Sequence, residues 1–165
     1  MDGESWGIRF TDLLYGAVIS FAVVKIGLSL DLSNLMLLFS LLIVFNDWID
    51  YHITVNSLEF DRRRYFAMYV LDILVLVVWE LSVKAIELGI GVYLIVLSAF
   101  FFLTWVWDVA IAGVWRSRGF PLSVLYAVLG LICQVYRIDV PALALAFAAF
   151  VIVYSGMWKN YLYPA

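Results

Sequence analysis

Long apolar runs follow one another along almost the whole chain, each cut by only a few polar residues. Inside hydrocarbon no water satisfies the backbone, so a helix crossing a bilayer needs about 20 apolar residues in a row. Runs of that length predict helices, at residues 8–28, 34–55, 64–86, 90–115, 121–136 and 141–161. Six crossings occupy about 120 positions, and the chain has 165. Connections take most of what is left. Composition agrees, with 66% hydrophobic and 14% charged residues, against about 45–50% and about 25% in soluble domains. Water cannot solvate such a surface, which excludes a soluble enzyme, a nucleic-acid binder and a disordered chain. The expected fold is an all-α, multi-pass integral membrane protein with one six-helix domain over residues 1–165.

The punctuation sets the boundaries. Pro121 and Pro141 stand where helices begin, positions that tolerate a missing N–H. The fifth helix is short, about 24 Å at 1.5 Å per residue. The first run is too long for a removable signal and lacks a small-residue cleavage site. Cys133 is the single cysteine, so neither an intrachain disulfide nor a thiolate cluster is available. No internal repeat or linker divides the chain.

Basic residues are sorted. Arg9, Arg62, Arg63, Arg64, Arg116, Arg118 and Lys159 fall on one side of the expected helices, against Lys25, Lys84 and Arg137 on the other. By the positive-inside rule both termini face the cytoplasm, and the membrane is the cell membrane if the source is prokaryotic. Trp6, Trp115, Trp158 and Trp79 lie near helix ends, where amphipathic rings favour the interface. Trp48, Trp105 and Trp107 are deeper and are expected between helices.

Asp12, Asp47, Asp50, Asp72, Glu80 and Asp108 fall within the expected spans, with Asn46, His52 and Gln134. A carboxylate in hydrocarbon costs on the order of 3 kcal/mol on insertion scales, so each must face protein or water. Glu80 precedes Lys84 by four residues, the order that suits an ion pair. Asp47 and Asp50 share one helix face with Asn46 close by. They form either a cation or proton site, or clamps between helices through Arg9 and Arg62 to Arg64. His52 is the only histidine, so one chain supplies neither a bis-histidine haem site nor a multi-imidazole zinc site. No Gly-x-Ser-x-Gly elbow or His-Glu-x-x-His helix is present, and no enzymatic activity, cofactor or resident metal is expected.

The first helix carries the most specific pattern, Arg9-Phe10-Thr11-Asp12-Leu13-Leu14-Tyr15-Gly16-Ala17-Val18-Ile19-Ser20. Ungapped from Phe10 to Ser20, it resembles the signature of the endolysosomal potassium channel family and its bacterial and archaeal homologues. Phe10-Thr11-Asp12 stands for that family's Phe-Ser-Asp, and Ile19-Ser20 for its closing aliphatic or small residue and Thr. The second helix ends in Trp48 and His52 before a basic connection, in the family's order. The register departs: three residues separate Trp48 from His52 where the family has two. Arg9 directly precedes Phe10, whereas the family's Arg is one turn earlier, where Trp6 stands.

The resemblance implies a homotetramer in the lipid bilayer, with helix one of each subunit at a central pore and a filter of side chains. Potassium or another monovalent cation would be the permeant ion. Ala17, Ser20, Phe21 and Val24 are the expected pore-lining residues, and Arg9, Asp12, Asp47, Asp50, His52, Asp72 and Asp108 the inner polar network. Ala17 occupies the position where the family has a large Ile or Leu constriction: either the gate has moved, to Phe21 or Val24, or selectivity is weak, or the chain does not conduct. Gly16, Ser20 and Gly27 also form a small-residue stripe that lets helices approach closely. Two other functions are compatible with the residues: a proton- or cation-coupled transporter using Asp47, Asp50 and Asp72, and a non-conducting scaffold.

Overall fold

With few polar side chains to compete for the backbone, the apolar segments satisfy their own N–H and C=O groups as helices. The computed structural model describes residues 3–26, 31–57, 62–115 and 117–162, with side chains at 10–26, 31–55, 66–115 and 117–155. Six α-helices result: α1 (Gly3–Lys25), α2 (Leu32–Ser57), α3 (Arg62–Ala85), α4 (Ile90–Trp107), α5 (Gly119–Tyr136) and α6 (Asp139–Leu162). No strand occurs among the described residues. Leu32–Val55, Phe66–Leu88, Ile90–Ala112 and Gly119–Tyr136 are long and apolar enough to cross a membrane, and Asp139–Ser155 is a shorter apolar helix.

Several boundaries differ from the sequence expectation. The helix expected at 90–115 ends as α at Trp107 and continues as a π segment, Asp108–Ala112. Gly113 then stops it at φ 72°, while Val114 N–H reaches back 3.0 Å to the Asp108 carbonyl. Only a glycine enters this left-handed conformation without steric cost. Trp115 consequently lies outside the helix, 73% exposed. Pro121 and Pro141 occupy the third residue of α5 and α6 rather than the first, still within the turn whose N–H groups lack helical partners.

The closest helix pair is α4 with α5, and glycine allows it. A Cβ at Gly119 would lie 2.6 Å from the Phe101 carbonyl oxygen, and one at Gly130 would lie 2.8 Å from that of Gly91. The core around this pair is aromatic, with Tyr93, Phe100, Phe101, Tyr126 and Trp79 fully buried. Phe101 and Tyr126 meet edge to face at 4.9 Å, a geometry that the ring quadrupoles favour.

Trp79 therefore corrects an expectation: it is a core residue, not an interfacial one. Its Nε1 donates 2.9 Å to the Ser40 carbonyl, joining α3 to α2. The Tyr93 hydroxyl donates 3.0 Å to the Met36 carbonyl and lies 2.9 Å from Ser40 Oγ, joining α4 to α2. Removing that hydroxyl in Tyr93→Phe leaves the ring packing intact. The loss is expected to be about 1 kcal/mol, the net value of a typical hydrogen bond, measured by thermal unfolding in detergent. Glu80 and Lys84 form the expected i,i+4 pair at 3.9 Å.

Candidate functional site

Asp12 of α1, Asp47 and Asp50 of α2, Asp72 of α3 and Asp108, just past α4, gather at one end of the bundle, where α1 and α3 begin and α2 and α4 finish. Asp12, Asp47 and Asp72 each find a partner on another helix. Asp12 accepts a hydrogen bond from Trp48 Nε1 at 3.1 Å and meets His52 Nε2 at 2.6 Å, fastening α1 to α2. Trp48 and His52 themselves stack edge to face at 5.0 Å. Asp47 accepts from the Tyr15 hydroxyl at 2.6 Å, a second α1–α2 fastening on the inner side. Asp72, only 3% exposed, accepts from Trp107 Nε1 at 2.8 Å and from Thr11 Oγ1 at 3.3 Å, tying α3 to α4 and α1.

Sequence reasoning places arginines opposite these carboxylates; among the described residues the partners are Tyr15, Thr11, Trp48, Trp107 and His52. The tyrosine, threonine and tryptophan donors stabilise a buried acceptor without the desolvation cost of a second charge. The side chains of Arg9 and Arg62 to Arg64, the residue Gly27, and the side chains of Trp6, Trp158 and Lys159 lie outside the described residues. Trp48 and Trp107 do pack between helices, and Trp105 meets Phe120 of α5 at 5.2 Å while donating to the Trp115 carbonyl at 3.3 Å.

Inside this end of the bundle is a partly open cavity of about 220 Å³. Asp47, Asp50, Asp72 and Asp108 line it together with Arg118. Asp108 stands directly after α4, as the first residue of the π segment. Arg118, just before α5, acts electrostatically on both Asp50 and Asp108. Tyr15, Tyr51, Trp107 and Tyr154 add aromatic walls. Arg118, Tyr154 and the π segment escape sequence reasoning, because nothing local marks an arginine or tyrosine as facing a cavity.

The opposite side of α1 is bare. Thr11, Tyr15 and Ala22 are buried and define its inner face. Half a turn away, Leu13, Gly16, Ala17, Ser20 and Val24 are exposed, Val24 to 85% and Leu13 to 72%. Phe21, 45% exposed, flanks this face. All four residues expected to line a pore are thus turned away from the rest of their own chain. Leu13 joins them, a large apolar residue one turn before Ala17 that sequence reasoning passes over.

Comparison of the chain with protein-family models, with curated proteins and with solved structures gives no match.

Proposed function

We propose that the chain is one subunit of a monovalent-cation channel, potassium-preferring, with six crossings and cytoplasmic termini. Four copies place α1 around a common pore. The observation that carries this reading is the two-sidedness of α1. Its inner face is fastened by Asp12 to Trp48 and His52 and by Tyr15 to Asp47, and its outer face presents Leu13, Ala17, Ser20 and Val24. A pore-lining helix needs both: a rigid attachment behind and a free surface towards the axis. Ser20 then supplies a ring of hydroxyls to a partly dehydrated cation, and Leu13 and Val24 supply apolar constrictions on either side of the wider ring at Ala17.

The test is potassium and sodium flux through purified protein in liposomes, together with the oligomeric state in mild detergent. Potassium flux is expected, with Ser20→Leu reducing it at least tenfold without changing the amount of folded protein. A strict monomer, or flux indifferent to Ser20→Leu, would sink the pore. The acidic cavity favours a second reading, a coupled transporter. Saturable, proton-driven exchange abolished by Asp47→Asn would establish it in place of the channel.

A further inference from the structure

The free face of α1 ends beside a fixed charge. Lys25 is the last residue of α1 and, past Asp12, the only charged one on this helix. Its side chain is exposed and folds back over the preceding turn, with Nζ 4.4 Å from the centroid of the Phe21 ring. The ring quadrupole attracts a cation at this distance, and the negative end of the helix dipole favours one in the last turn. Among the described residues the ion pairs are His52 with Asp12 and Lys84 with Glu80, so no carboxylate pairs with Lys25. Asp31, the next acidic residue along the chain, accepts a hydrogen bond from the Asn34 backbone N–H at 2.8 Å, at the start of α2. The ammonium of Lys25 is thus held in place by a neutral ring and keeps its field.

Phe21 flanks the face that carries Ala17, Ser20 and Val24, and it brings the ammonium to the edge of that face, at the end of α1 opposite to Asp12. The inference rests on the α1 pore proposed above. Four copies around an axis then set four positive charges about the outer mouth, and rings of charged side chains decide which ions enter a pore. Low-dielectric walls focus such a field. Coulomb energy is linear in the charge of the ion, so a divalent cation meets twice the electrostatic barrier that a monovalent one meets. The factor by which the ring slows a monovalent ion is squared for a divalent one.

We propose that Lys25, held by Phe21, sets the selectivity of the pore for monovalent over divalent cations. Phe21 is then a positioning residue, because its ring face is taken by the lysine of its own chain and is not offered to the passing ion.

The experiment is the measurement of conductance and reversal potential in planar bilayers holding the full chain, with potassium chloride on one side and calcium chloride on the other. Lys25→Gln keeps the length of the side chain and removes its charge. It should raise potassium conductance about threefold and calcium permeation about tenfold, the square of that factor. Lys25→Glu should raise the calcium-to-potassium ratio further, and Phe21→Leu should raise it part of the way by releasing the ammonium. Ionic strength gives a readout on the unmodified chain that a merely structural lysine would not move. Raising it with N-methylglucamine chloride from about 0.1 M to about 1 M cuts the Debye length from about 10 Å to about 3 Å. The calcium-to-potassium ratio should then rise about twofold to threefold in the unmodified chain and stay level in Lys25→Gln. Absence of potassium conductance from the unmodified chain would overturn the α1 pore and this proposal with it. Potassium conductance with the same calcium ratio in Lys25→Gln, or with a ratio unmoved by ionic strength, would overturn the role of Lys25 alone and leave the pore standing. The ionic-strength series decides the matter even if the variants fail to fold.

Discussion

Gly119→Val is expected to abolish recovery of folded protein. Gly119 is buried at the start of α5, and a Cβ there would lie 2.6 Å from the Phe101 carbonyl oxygen and 2.8 Å from the Trp105 nitrogen. Both are backbone atoms of α4, so no side chain can rotate away. The whole helix pair must separate. Overpacking a core costs about 1–3 kcal/mol and more where the obstacle cannot move, out of a total stability of about 5–15 kcal/mol. The control is Gly16→Ala on the free face of α1, where a Cβ meets nothing within 4 Å. There stability should stay level or rise by up to about 1 kcal/mol, the helix propensity gained. Size-exclusion profiles and thermal unfolding of the two variants read the contrast directly. Equal behaviour would show that the α4–α5 approach is not tight.

The second large effect is expected at Asp72. Leucine there keeps the volume and removes the acceptor shared by Trp107 and Thr11. Each stranded buried donor costs about 1–3 kcal/mol, so Asp72→Leu should lose on the order of 2–5 kcal/mol. Asparagine retains one carbonyl oxygen for the Trp107 N–H and should lose less than half as much. Trp107 makes the change visible, because its emission should shift when its Nε1 loses the carboxylate. Should Asn and Leu prove equally damaging, the charge rather than the hydrogen bonds would be what matters at this position.

Much of the fold was legible in the sequence because the signals are local. The apolar runs mark the helices. Glu80 and Lys84 meet because one turn of helix brings positions four apart together. Asp12 was legible as an inner fastening through its place in the Phe10 to Ser20 pattern. Its partners Trp48 and His52 stood in the expected helix, although at a spacing that made the match inexact. Trp79 shows where this kind of reading fails. Nearness to a helix end says nothing about which way a ring points, and packing against α2 took it into the core. The end of α4 failed differently: Asp108 and its π turn depend on Gly113 closing the helix, a detail that an apolar run running on to Trp115 conceals.

The sequence by itself determined the class of molecule, a bundle of helices made for hydrocarbon, since each helix satisfies its own backbone from neighbours three or four residues away. It also determined that carboxylates would fall within the helices of the bundle, since they lie inside the apolar runs. Only the tertiary structure decided what those carboxylates do. Asp72 is 61 positions from Thr11 and 35 from Trp107, and no local rule links residues so far apart. Helix packing brought them together, turned Leu13, Ala17, Ser20 and Val24 outward, and left Asp50 and Asp108 around a cavity with Arg118.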